Sequence, residues 1–296
     1  LFEGYRFGRG IDHWKAPWSV LWFSRADGVR IGITYMPEQE VIGSHWHDTT
    51  GKWLDACSLP GRPDTDCYYL VEREVGGVLE QFIEQQAPTR FDSEDDLFFV
   101  DSGLTYDGRN DTATMLTVTS NTGGWGEDDE LVITASAPLF AGAGDLGDAF
   151  LIAYDTIEQV EIDGELVDMD VTKRVQVIID TVGTSTDVQA HVVGTFPPEL
   201  RGQATTRWTF QRDTIADLWH LEGASVKVLQ DGGVSGPYTV KDGRITLGDP
   251  GGVVHVGHNY RAEIETLELN MAGGEPIRDM SKLVYAVAIL VRGTRG

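Results

Sequence analysis

Runs of β-branched and aromatic residues, cut at short intervals by left-handed turn dipeptides, extend along this chain and leave little room for helix. Ser19-Val20-Leu21-Trp22-Phe23-Ser24-Arg25, Ala26-Asp27-Gly28 and Val29-Arg30-Ile31-Gly32-Ile33-Thr34-Tyr35 read as one hairpin, because Asp-Gly supplies the positive-φ positions of a tight β-turn. The same grammar predicts a second hairpin, Val41 to Asp48 turning at Thr49-Thr50-Gly51 into Lys52 to Leu59. A third runs from Cys67 to Glu74 through Gly76-Gly77 into Val78 to Gln85. Consecutive antiparallel hairpins with Trp or Tyr on their strands predict a meander, either propeller-like or built from curved sheets.

The composition shifts after Tyr106-Asp107-Gly108. From there the chain is rich in Thr, Val, Asp and Gly, with short alternating runs at Met115 to Ser120, Leu131 to Ala135, Phe150 to Tyr154, Val160 to Ile162, Arg174 to Asp180 and Gln189 to Val193. These predict a small inserted β-barrel or sandwich. After Pro197-Pro198 the pattern of the first segment returns, with strands at Ala224 to Leu229, Tyr238 to Val240, Arg244 to Leu247, Val253 to Val256, Arg261 to Leu269 and Leu283 to Arg292. Helix is confined to one turn at Thr214 to Trp219, with Thr214 as its N-cap. The expected fold is therefore all-β, an antiparallel hairpin meander over 1–107, an inserted small β domain over 108–205, and a second part of the first domain over 206–296.

Charge excludes one large class of partner. The chain carries 47 acidic against 23 basic residues, a net −24, whereas tight grip on a phosphate backbone needs Lys and Arg to displace counterions. No apolar run reaches the roughly 18 residues that would suggest a membrane span, so no membrane insertion is expected. The opening Leu1-Phe2-Glu3-Gly4-Tyr5-Arg6 lacks an initiator Met and a signal-peptide pattern, which suggests numbering that starts inside a longer chain. Cys57 and Cys67 flank a turn-rich segment; a cross-strand disulfide is conceivable, and two reduced thiols are the preferred reading.

Candidate chemistry is sparse. His45 and His47, two apart on a strand, share a face and would offer two imidazoles to a metal, but no third ligand can be placed beside them. His255 and His258 are weaker still. There is no Gly-x-Ser-x-Gly elbow and no cysteine in a catalytic setting. The Gly-rich stretch at Ala141 to Asp148 lacks the basic residue and helix start of a phosphate loop. Asp163-Gly164-Glu165 with Asp168 and Asp170 lacks the spacing of a calcium loop and reads as a solvated hairpin. No catalytic residue and no cofactor is predicted.

Several blocks, taken in order, resemble the nozzle or stabilisation proteins of phage tails, the tail tubular protein B type of short-tailed phages. They are Asp27-Gly28 with Thr34-Tyr35; Glu72-Arg73 followed by Glu84; Asp101-Ser102-Gly103; Leu221-Glu222-Gly223 with Asp231-Gly232; and His255, Gly257 and Tyr260 with Glu265-Thr266-Leu267. The stretch from Asp107 to Thr206 departs from that pattern and looks like an insertion. The mixed charge of Gly274 to Asp279 departs from a region that is often basic in that family.

The resemblance implies a structural virion protein without enzymatic activity. It would form a sixfold homo-oligomeric ring that meets portal or adaptor proteins and other tail proteins such as fibres, with genomic DNA passing through the lumen. An acidic lumen would then let DNA slide without sticking. The alternative is a carbohydrate- or receptor-binding β module, suggested by eight Trp residues. Trp14, Trp18 and Trp125 gathered in one groove would favour it. A hydrolase on a β scaffold would need juxtaposed carboxylates or a zinc triad.

Overall fold

The computed structural model describes residues 6–61, 64–91, 93–142, 145–162 and 165–264; among them the chain is all-β, with antiparallel sheets and helix limited to single 3-10 turns. β1 (Phe7–Trp14), β2 (Val20–Arg25), β3 (Arg30–Met36) and β4 (Val41–His47) make one sheet in chain order. β5 (Lys52–Leu59), β6 (Asp66–Val75) and β7 (Val78–Gln85) make a second, and β5 packs against β1 and β2. Trp14, Val20, Trp22, Trp53, Cys67, Tyr69 and Val71 fill the space between them. The period of two is explicit in β6, which buries Cys67, Tyr69, Val71 and Arg73 and turns the intervening residues outward. The expected Gly76-Gly77 turn forms, with φ of 57° and 86° joining Val75 directly to its partner Val78.

The chain continues through β8 (Asp101–Asp107), β9 (Leu116–Ser120), β10 (Leu131–Ala135), β11 (Ala149–Ile162), β12 (Glu165–Val182), β13 (Asp187–Val192), β14 (Ala204–Thr205) and β15 (Trp208–Ile215). β16 (Ser225–Gln230), β17 (Gly233–Thr239), β18 (Ile245–Gly251) and β19 (Val253–His258) follow. In space the larger sheet runs β14-β9-β10-β13-β12-β11-β15-β18, and the smaller runs β17-β16-β19-β8.

β14 at one edge and β15 toward the other are separated in sequence only by Thr206-Arg207. The larger sheet must therefore coil until its ends approach. Leu116, Ile133, Phe150, Phe196, Trp208 and Phe210 share the core this creates. The seam is stitched by side chains: Trp208 Nε1 donates to the Thr114 carbonyl at 3.0 Å, and Asn110 Nδ2 to the Thr206 carbonyl at 3.0 Å. No ladder joins β14 to β15 among the described residues, so the wrap is barrel-like without being a closed barrel.

β8 pairs with β19, Asp107 opposite Val253 and Thr105 opposite His255. β9 to β15 thus fall in the chain between β8 and its sheet neighbours β16, β17 and β19, while β18, later in the chain, pairs with β15 in the larger sheet. The smaller sheet packs on its own core of Ile215, Leu218, Leu221, Val226, Val228, Ile245, Val254 and Val256.

β11 pairs over its whole length with β12, from Ala149↔Ile178 to Ile162↔Glu165. β15 covers β11 only at Ala149 to Ile152, and β13 meets β12 only from Val177 onward. The last lateral tie among the described residues is Thr156 Oγ1 to Glu199 Oε1 at 2.9 Å. Beyond it the hairpin is a two-stranded arm that exposes Ile157, Leu166, Val167 and Met169. The residue pattern alone divides this arm into separate short strands, whereas in the fold it is continuous.

Other expectations also change. The strands of the second hairpin form but do not pair: β4 bonds to β3 and β5 to β6. Thr49 and Thr50 are instead held by Arg73, whose Nη1 donates to Thr49 Oγ1 at 2.7 Å and to the Thr50 carbonyl at 2.9 Å. A buried cation's need for acceptors outweighs local pairing there. Thr214 is no N-cap; it lies in β15 opposite Thr246, and the helical turn falls at Trp219–Leu221.

Cys57 and Cys67 are free. Ser58, not Cys57, stands opposite Cys67, so the two thiols point to opposite faces of their sheet. Arg261 to Ile264 are not in a strand, and the strands expected over the rest of Arg261 to Leu269 and over Leu283 to Arg292 lie outside the described residues.

Candidate functional site

Two arginines are buried in the N-terminal region and their charges are met in opposite ways. Arg73 on β6, 1% exposed, donates from Nε to Glu84 Oε1 at 2.6 Å and from Nη2 to Glu84 Oε2 at 2.7 Å, a two-pronged clasp across to β7. Nη2 also reaches Asp101 Oδ1 at 3.2 Å. Burial works against this charge, but the hydrogen bond to Glu84 and the carboxylate of Asp101 outweigh it and hold the Arg73 pKa above its ordinary value. The clasp ties β6 and β7 to the start of β8 and to the turn after β4.

This is where several of the resemblance blocks meet. Glu84 and Asp101 each accept hydrogen bonds from Arg73. Gly257 lies against Asp101, where an added Cβ would stand 2.6 Å from the Asp101 carbonyl oxygen. Ser102, in the left-handed region at φ 51°, accepts from His220 Nε2 at 3.0 Å through its carbonyl. Gly103 packs against Phe98 and Val100. His258, beside the same cluster, is held below the usual histidine range by burial and by the Arg73 charge.

The remaining block residues shape turns nearby. Glu222 accepts from the backbone N–H of Asp242 and Gly243 at 3.1 and 2.7 Å, while Leu221 is buried and Gly223 adopts φ 76°. Asp231 and Gly232 form the β16–β17 turn at φ 47° and 82°, and the Asp231 carboxylate accepts from the Val253 N–H at 2.8 Å. His255 bridges Thr105 Oγ1 at 2.8 Å and the Asp95 carbonyl at 2.9 Å. Asp27 caps its turn through Arg25, Gly28 accepts from the Trp53 N–H at 2.9 Å, and Glu72 faces Lys52 at 3.6 Å. Tyr35 and Tyr260 are exposed. Glu265, Thr266 and Leu267 lie outside the described residues.

Arg30, on the inner face of β3, is met differently. Its guanidinium carbon lies 4.2, 4.4 and 4.3 Å from the ring centres of Trp22, Trp53 and Tyr69. No carboxylate among the described residues is within salt-bridge distance, and its Nε has no hydrogen-bond partner. Cation–π contacts supply the compensation, and burial lowers the Arg30 pKa. Trp14, Trp22 and Trp53 each also bury an indole N–H without an acceptor. Each such orphan costs on the order of 1–3 kcal/mol.

Arg30 lines a cavity of about 310 Å³ with Trp14, Trp18, Trp22, Thr34, His45 and His47. Gly32 makes the room: Trp22 and His45 stand opposite it on the two neighbouring strands, and a Cβ there would fall 2.2 Å from the His45 ring. Trp14 and Trp18 thus share a cavity, whereas Trp125 packs on Phe196 in the coiled sheet. The sequence points to those two tryptophans but not to Arg30, whose burial only the facing sheet reveals.

His45 and His47 do share a face, with His45 Nδ1 2.8 Å from His47 Nε2. Burial and the neighbouring Arg30 charge hold both pKa values down, that of His47 to about 3. A cation at this pair would sit beside a guanidinium. No group of three or more metal-ligating side chains is found among the described residues. Among them no helix is long and apolar enough to cross a membrane. No family model matches the chain, and no curated protein matches it.

Proposed function

We propose that this chain is a structural, non-catalytic subunit of a phage tail, of the nozzle or tail-tube type, working in a ring beneath the portal and adaptor. The observation that supports this reading best is the arm formed by β11 and β12. A two-stranded ribbon is marginal in water without a third strand or a packed face, and this one carries Ile157, Leu166, Val167 and Met169 in the open.

Open sheet edges add to it. β4 exposes Val41, Ile42 and Trp46, and β7 exposes Val78, Leu79 and Ile83. Unpaired edges with apolar side chains are liabilities in a lone monomer and natural docking strips in an assembly. The Arg73 cluster supports the same reading in another way: two of the ordered blocks of the resemblance are joined by a buried ionic clasp, as a structural role would require.

In such a ring the net charge of −24 would keep the phosphate backbone of passing DNA from adhering. Portal, adaptor and fibre proteins are its proposed neighbours, and the virion tail its location. Mass photometry of the chain alone and mixed with its adaptor tests the proposal. A species of several subunits is expected in at least the mixture; monomer in both samples would count against it.

A further inference from the structure

We propose that the cavity between the two N-terminal sheets binds an acidic sugar, a pyranose ring bearing a carboxylate, with Arg30 receiving the carboxylate and the tryptophans the ring. This goes beyond the tail assignment and does not rest on it.

Four buried N–H donors without acceptors lie in this one region: Trp14 Nε1, Trp22 Nε1, Trp53 Nε1 and Arg30 Nε. Trp14, Trp22 and Arg30 line the cavity directly. The orphaned nitrogens are sealed from solvent, so they mark a region short of acceptors, and the guanidinium adds a preference for a negative one. Arg30 is 8% exposed and has no carboxylate partner among the described residues of a chain with 47 acidic side chains. A carboxylate matches the guanidinium fork.

The walls select what carries that carboxylate. Trp14 and Trp22 stack at 6.5 Å between ring centres, and Trp18 stands at the mouth, 52% exposed. Aromatic faces receive the apolar C–H face of a sugar ring. Thr34, His45, His47 and Gln86 add polar groups at the lining for hydroxyls. A bare phosphate would leave the aromatic walls unused, and a metal ion would meet a positive charge. At about 310 Å³ the cavity is at the lower end of small-molecule sites, on the scale of a single sugar residue and its immediate neighbour.

The test is a titration of the full chain with D-glucuronate, D-glucose and inorganic phosphate, followed by tryptophan fluorescence and by saturation-transfer NMR on the sugars. Glucuronate is expected to bind saturably, with glucose at least about tenfold weaker and phosphate without effect on the fluorescence. Trp18→Ala, at the exposed mouth, should weaken glucuronate by about tenfold while leaving the thermal midpoint unchanged. Arg30→Gln, where it folds, should erase the preference for glucuronate over glucose.

Equal affinity for glucose would overturn the role of Arg30. Equal competition by phosphate, an unaffected Trp18→Ala variant or the absence of any saturable signal would overturn the site. Because the sugar selectivity is read on the wild-type chain, loss of folding in the arginine variant does not remove the test.

Discussion

Arg73 and Glu84 clasp each other through two hydrogen bonds of 2.6 and 2.7 Å, joining β6 to β7 where Asp101 brings β8 alongside. Removing one partner strands the other's charge in a place with little water. Arg73→Ala is therefore expected to lower stability by about 3–5 kcal/mol, read as a shift in the urea midpoint. Arg73→Met combined with Glu84→Leu should cost clearly less than the single truncation. If the double variant were the less stable of the two, the clasp would have been contributing more than mutual neutralisation.

Gly257 is fixed by contact and not by backbone freedom. With Asp101 O at 2.6 Å and Val100 Cβ at 2.9 Å from where a methyl group would stand, Gly257→Ala must push β19 from β8. A loss of about 1–3 kcal/mol is expected, measured by chemical denaturation. A neutral outcome would mean that the strand pair is looser than its register implies.

A half-buried histidine and a buried aspartate give stability opposite pH slopes. His47 stays neutral in the fold down to about 3, while in the unfolded chain it protonates near the ordinary 6.5. Between those values the unfolded chain holds the extra proton, so His47 makes stability fall as pH is lowered. Asp148 is pushed up to about 6 by burial, against 3.8 in the unfolded chain. There the folded state holds the extra proton, so Asp148 makes stability fall as pH rises through that interval. Urea midpoints measured across the interval should flatten on the acid side in His47→Gln, and Asp148→Asn should remove the opposing loss. Unchanged profiles would contradict the two burials.

The arm past Thr156 should behave as a surface waiting for a partner. Ile157→Ser with Met169→Ser is expected to change the stability of the isolated chain by no more than about 0.5 kcal/mol and to weaken the assembly proposed for it with an adaptor. Amide exchange checks the same point: residues 157–162 and 165–170 should exchange fast in the free chain and slowly in the assembly. Slow exchange in the free monomer would show that the arm is already covered.

The strands are legible where local chemistry decides them. Asp27-Gly28, Gly76-Gly77 and Asp231-Gly232 each name a turn, and each turn forms. Pairing is less legible where a distant group intervenes. Val41 to Asp48 and Lys52 to Leu59 read as a hairpin because nothing local says that Arg73 will take up Thr49 and Thr50. The long arm is hidden because Tyr154 to Thr156 and Val167 to Thr172 mix polar and apolar residues, the composition of an uncovered ribbon and of a loop alike.

The sites divide in the same way. His45 and His47 announce a shared face through their spacing. The paired and unpaired states of Arg73 and Arg30, both ordinary strand arginines in sequence, depend on which carboxylates a second sheet brings near. Glu84 follows Arg73 along one hairpin and belongs with it to one of the resemblance blocks; the lack of any such partner for Arg30 among the described residues leaves no mark in the sequence.

The central claim, a structural subunit of a phage tail, is tested most directly by imaging. If the proposal holds, a phage encodes the chain, and its particles carrying a tagged copy would be purified and examined by negative-stain electron microscopy with a gold-labelled antibody to the tag. Gold on the tail, just below the portal, is the expected result. Unlabelled particles, with the tagged chain recovered only in the soluble fraction, would contradict it.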